Sequence, residues 1–65
     1  MVSAVKLARE KIGLTQVEVA NAVGITDTSY QRIEYGTQTP SLKTALRIAR
    51  ALQSTVEKLF PSTGD

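Results

Sequence analysis

Apolar residues recur along this chain at intervals of three and four, in short blocks closed by glycine, proline or hydroxyl residues, and almost no block alternates as a half-buried strand would. Between Ala4 and Ile12, Val5, Ala8 and Ile12 fall at helical spacing and Leu7 widens their stripe. Lys6, Arg9, Glu10 and Lys11 lie between them, and Gly13 is positioned as a stop. Thr15 and Glu18 have the spacing of a capping box, in which hydroxyl and carboxylate satisfy amides that the first turn leaves unpaired. A second helix is therefore predicted from Gln16 to Val23, burying Val19, Ala20 and Val23 and ending at Gly24. Thr26 can cap a third helix over Asp27 to Tyr35. It places Tyr30 and Ile33 on one side and Asp27, Thr28, Gln31, Arg32 and Tyr35 largely on others, before a stop at Gly36. Thr37, Gln38, Thr39 and Pro40 read as a loop. Ser41 can then cap a fourth helix whose Leu42, Ala45, Leu46, Ile48, Ala49 and Leu52 form a wide apolar face, with Lys43, Arg47 and Arg50 outside. Ser54 or Thr55 offers a cap for a short apolar helix carrying Val56, Leu59 and Phe60, and residues 61–65 form a polar tail. The expected fold is all-α, a compact five-helix bundle without a sheet.

Composition narrows what such a bundle can do. Sixty-five residues, 42% of them hydrophobic, leave room for one modest core, so residues 1–65 are expected to form one domain. The chain has no Cys and no His. Disulfides, thiol nucleophiles, imidazole bases and the usual zinc ligands are thereby removed, and stability must come from packed apolar stripes, helped by a partner subunit. An active site would need paired carboxylates or a Lys-activated hydroxyl, and no two acids recur at a spacing that suggests one cleft. No enzyme activity, metal or other cofactor is expected. Apolar runs are only a few residues long, far below the roughly 20 of a membrane span, and no charged-then-apolar leader is visible, so a cytoplasmic protein is expected. The net charge of +2 permits nucleic-acid binding without arguing for it.

Placement argues more strongly. Helices two and three are joined only by Gly24, Ile25 and Thr26, a connection suited to two helices crossing steeply as a helix-turn-helix. Here the sequence resembles the lambda-repressor/Cro-type (xenobiotic-response-element-like) helix-turn-helix regulators over Ala4 to Phe60. The resemblance rests on Gly13-Leu14-Thr15-Gln16, Val19-Ala20, Gly24-Ile25-Thr26, Ile33-Glu34-Tyr35-Gly36, Pro40-Ser41-Leu42, Ile48-Ala49-Arg50-Ala51-Leu52 and Leu59-Phe60, taken in this order and spacing.

The resemblance implies a role for each matching position. Gln16 corresponds to a phosphate contact at the start of helix two, where the positive helix end assists. Asp27, Thr28 and Arg32 correspond to base-reading positions, with Gln31 beside them and Thr26 and Ser29 placed for phosphate or base-methyl contacts. Arg can form two bonds to guanine, a carboxylate can accept from cytosine N4, and Thr can bond or pack on the thymine methyl. Tyr35, Thr37, Gln38 and Lys43 fall where the family's following loop touches the DNA backbone. Arg9 and Glu34 match a structural ion pair between helix one and the end of helix three. Two departures follow helix four, where the family often has Gly then Val and this chain has Gln53 then Ser54, so a looser or differently turned connection is expected.

Each position also has an ordinary structural reading. Gln16 can be a solvated first-turn residue, Thr26 is a cap with or without DNA, and Arg32, Gln31 and Ser29 can be plain surface polar residues. Asp27 favours the helix dipole but repels phosphate. Lys43, Arg47 and Arg50 can be a solvated face. The expected function is that of a sequence-specific, double-stranded DNA-binding transcriptional regulator, a small repressor acting as a homodimer on a palindromic operator, with Val56, Leu59 and Phe60 at the dimer interface. The alternative is a protein-interaction module or antitoxin-like partner protein on the same fold.

Overall fold

Every helix in the computed structural model, which describes residues 3–61, begins at a hydroxyl residue whose side chain accepts the amide three positions on. Ser3 opens α1 (Ala4–Lys11), Thr15 opens α2 (Gln16–Val23), Thr26 opens α3 (Asp27–Tyr35), Ser41 opens α4 (Leu42–Ala51) and Thr55 opens α5 (Val56–Leu59). Such caps contribute about 1 kcal/mol each, which matters for helices of ten residues or fewer that are marginal alone. At Thr15 the capping box is complete, because Glu18 also accepts the Thr15 amide at 2.8 Å. Among the described residues there is no strand.

The helices surround one core of Val5, Val19, Ala20, Val23, Tyr30, Ile33, Ile48, Ala49, Leu52 and Leu59. Central α2 packs on both α3 and α4, and α5 closes the bundle against α1 and α4. Three leucines expected on inner faces lie elsewhere. Leu7 is exposed on α1, while Leu42 and Leu46 remain 70% and 52% exposed on α4. The apolar arc of α4 is wider than its neighbours can cover, and the buried part is Ala45, Ile48 and Ala49 with Leu52 at its end. Leu59, expected at a dimer interface, is a buried residue of the protomer's own core, because α5 lays it between α1 and α4. Val56 and Phe60 are only partly covered.

The connection after α4 also corrects an expectation. Gln53 adopts a left-handed φ of +54°, its amide donates to the Arg50 carbonyl at 3.2 Å, and the Ser54 amide donates to the Ala49 carbonyl at 2.8 Å. This is the closure a glycine would make, formed here by a residue that bears a Cβ. Gln53→Gly is therefore expected to raise stability by about 0.5–1 kcal/mol, visible as a thermal midpoint several degrees higher. An unchanged or lower midpoint would show that Gln53 has compensating interactions. Of the polar tail expected at 61–65, all but Pro61 lies outside the described residues.

Candidate nucleic-acid interface

The turn between α2 and α3 is held from both sides. The Gly24 and Ile25 amides converge on the Ala20 carbonyl at 2.8 and 3.0 Å, and Gly24 sits at φ +88°, where a Cβ would be strained. Ile25 packs against the core, and Thr26 caps α3 through the Ser29 amide at 3.1 Å. With α3 anchored inward by buried Tyr30 and Ile33, its outer side is determined by helical period. Asp27, Thr28, Gln31, Arg32 and Tyr35, at i, i+1, i+4, i+5 and i+8, form one stripe. All are exposed except half-buried Gln31. Ser29 lies on the flank, also half-buried. Arg9 and Glu34 form the one ion pair among the described residues, so neither the Arg32 guanidinium nor the Asp27 carboxylate is neutralised by a neighbour.

After α3 the chain folds back over the end of the helix. The Thr37 and Gln38 amides donate to the Arg32 carbonyl at 2.9 and 3.3 Å, and the Thr37 hydroxyl donates to the same oxygen at 3.3 Å. Thr37 is exposed, Gln38 half-buried and Lys43, in the first turn of α4, exposed. Tyr35 is 74% exposed, although its ring is large enough to have been a core residue.

Gln16 is not a freely solvated side chain. Its Nε2 donates to Glu34 Oε1 at 3.0 Å, which ties the first turn of α2 to the last turn of α3. Glu34 is itself clamped. Arg9 Nε donates to Oε2 at 2.6 Å and Arg9 Nη2 reaches Oε1 at 3.4 Å, with 12% of the Arg9 side chain and 1% of the Glu34 side chain exposed. Arg9 Nη1 also donates to the Leu14 carbonyl at 2.8 Å, fixing the entry to α2. Burial by itself would push the Glu34 carboxyl up. The hydrogen bonds from Arg9 and Gln16, together with the positive charge of Arg9, hold it below its ordinary value despite burial. The same pairing holds the Arg9 guanidinium above its usual value. The Tyr30 hydroxyl is buried without a partner of good hydrogen-bond geometry, and burial, reinforced by the neighbouring Glu34 charge, pushes the phenol well up. The ion pair was legible from family resemblance. The bond from Gln16 was not, because a contact across 18 positions leaves no mark on local periodicity.

The helix-turn-helix family model matches residues 5–59, almost the whole described chain. The chain belongs to the Cro/C1-type helix-turn-helix family. An uncharacterised helix-turn-helix transcriptional regulator of Methanothermobacter thermautotrophicus is 45% identical over 53 residues, covering 80% of this chain and 77% of its own. The phage CTXphi transcriptional repressor RstR of Vibrio cholerae is 35% identical over 51 residues, which span 78% of this chain and 46% of the repressor. Among solved structures, the restriction-modification controller protein C.AhdI of Aeromonas hydrophila superposes with a TM-score of 0.80 at 28% identity, covering 88% of this chain and 86% of that one. The N-terminal DNA-binding domain of SinR from Bacillus subtilis, at 22% identity and a TM-score of 0.79, shares the fold and covers 94% of this chain and 90% of its own. This helix-turn-helix protein is accordingly a transcriptional regulator with a DNA-binding fold. Among its described residues no helix is long and apolar enough to cross a membrane, and no cluster of acidic side chains could hold a metal ion.

Proposed function

We propose that this regulator is a cytoplasmic repressor in which residues 1–65 act as one DNA-binding domain, reading a palindromic double-stranded operator as a homodimer. The observation that carries the reading is the outer stripe of α3. Five side chains able to bond to base edges or backbone stand on a helix anchored by its opposite side, and the two charges of that stripe, Asp27 and Arg32, have no ion-pair partner among the described residues. A helix built to bind a protein groove would carry apolar anchors at those positions, and only Tyr35 is of that kind. In this reading Arg32, Thr28, Asp27 and Gln31 face base edges in the major groove. Gln16, Thr26, Ser29, Tyr35, Thr37, Gln38 and Lys43 hold the DNA backbone and set register. The similarity to RstR, a protein named as a phage transcriptional repressor, favours repression.

The second copy is assigned to the surface of α4 and α5. Leu46 is exposed beside half-buried Val56, and the two border one shallow groove with Ala49 and Ser54, while Phe60 is left partly uncovered beyond α5. One recognition helix reads only a few base pairs. A two-fold dimer presents two to half-sites about 34–36 Å apart. Selection from a random duplex library is expected to return an imperfect palindrome with that spacing. Val56→Glu is expected to abolish dimerisation in sedimentation and weaken operator binding while leaving helix content intact. A monomer at tens of micromolar together with an asymmetric selected site would refute the homodimer.

A further inference from the structure

The bond between Gln16 and Glu34 joins a candidate DNA contact to the buried ion pair, and its chemistry has a direction. A carboxylate only accepts, so the Gln16 carboxamide must turn its nitrogen, not its oxygen, toward Glu34. One Nε2–H is then occupied by Glu34 Oε1, and the other N–H of the same group remains a donor. Without Glu34 the carboxamide could flip and place its oxygen where the nitrogen now lies, and an oxygen there would meet a phosphate as acceptor against acceptor. Glu34 can play this part because it is immobile, its side chain nearly inaccessible and held on Oε2 and Oε1 by Arg9. The positive guanidinium beside it also offsets the carboxylate charge that would otherwise repel a phosphate.

We propose that Glu34, clamped by Arg9, is a positioning residue for DNA binding, orienting the Gln16 carboxamide so that its second Nε2–H is presented to a backbone phosphate. The inference rests on the reading of Gln16 as a phosphate contact and adds to it a reason for the ion pair beyond stability. The pair fixes the place of the amide's NH2 group, leaving its second N–H as the free donor, and lowers the ordering cost of that contact. The effect is independent of base sequence, because a phosphate contact spells none.

A double-mutant cycle between positions 16 and 34 tests it. Affinity for the selected duplex and for a scrambled one is measured alongside the thermal midpoint. Gln16→Ala is expected to weaken both duplexes about three- to tenfold, the scale of one hydrogen bond, and Glu34→Gln to weaken both by a similar factor. In the Gln16→Ala background Glu34→Gln should cost no further affinity, yet it should lower the midpoint in both backgrounds. Should Glu34→Gln leave too little folded protein, Arg9→Lys, which keeps the charge and loosens the grip on Glu34, is put through the same cycle with the same expectation. An equal loss of affinity from the second substitution in both backgrounds overturns the proposal, because Glu34 would then act through the fold alone. No loss from Glu34→Gln or Arg9→Lys alone also overturns it. If Gln16→Ala leaves affinity unchanged, the proposal falls together with the phosphate reading beneath it.

Discussion

Arg9→Met is expected to destabilise the domain by about 3–5 kcal/mol, since it leaves the buried Glu34 carboxylate without its cationic partner. A chain of 65 residues has a total stability of only about 3–10 kcal/mol, so the variant should be largely unfolded at physiological temperature or melt on the order of 15 °C lower. Replacing the pair together, Arg9→Met with Glu34→Leu, should recover much of the loss, because two apolar side chains of similar volume avoid desolvating charges. Thermal unfolding followed by circular dichroism checks both. A drop of only a few degrees in the single variant would mean that water reaches Glu34. The same network sets the response to acid. The Glu34 carboxyl titrates below its unfolded value, so its contribution is fully present above the unfolded pKa near 4.3 and is lost as pH falls through the lower folded value. Stability should hold as pH falls from neutral toward about 5 and then decline more steeply in wild type than in the apolar double variant.

The second large effect is expected at Arg32, the exposed cation of the α3 stripe, which no neighbouring acid neutralises. Arg32→Ala should lose about 1–3 kcal/mol of affinity for the selected operator and relax preference at one base position, leaving the thermal midpoint nearly unchanged. Its counterpart at Gln16 should weaken all duplexes alike. The two signatures separate base reading from backbone holding, and quantitative binding to operator variants distinguishes them. An Arg32→Ala variant with unchanged affinity and preference would remove α3's cation from the readout.

What could be read from the chain in advance follows the range of the forces involved. Caps and glycine stops act within four residues, so the limits of α2 and α3 were visible in Thr15, Glu18, Gly24, Thr26 and Gly36. The inward set Val19, Ala20, Val23, Tyr30 and Ile33 was visible for the same reason, because α2 and α3 have neighbours on one side. Leu42 and Leu46 were not. Whether an apolar residue at the margin of a helix face is covered depends on where the next helix lies, and α5 is too short to shield them. Leu59 erred in the opposite direction, since a four-residue helix lying across α1 and α4 can bury one side chain completely while leaving Val56 and Phe60 at the edge. Gln53 shows a backbone preference overridden. The Schellman-type bonds at Arg50 and Ala49 form although no glycine is present, so the departure in sequence left the turn unchanged. At the candidate interface, the outer stripe was readable from period. The orientation of Gln16 was not, because it depends on Arg9 and Glu34 arriving from two other helices.

Reading of sequence by the outer side of α3 is tested most directly by running the random-duplex selection in parallel on wild type and on a variant carrying Asp27→Ala, Thr28→Ala, Gln31→Ala and Arg32→Ala. Those side chains lie outside the core, so the variant should keep its helix content. Wild type is expected to return a defined consensus and the variant to bind weakly and salt-sensitively with no consensus. The same consensus from both proteins, or none from wild type, would contradict it.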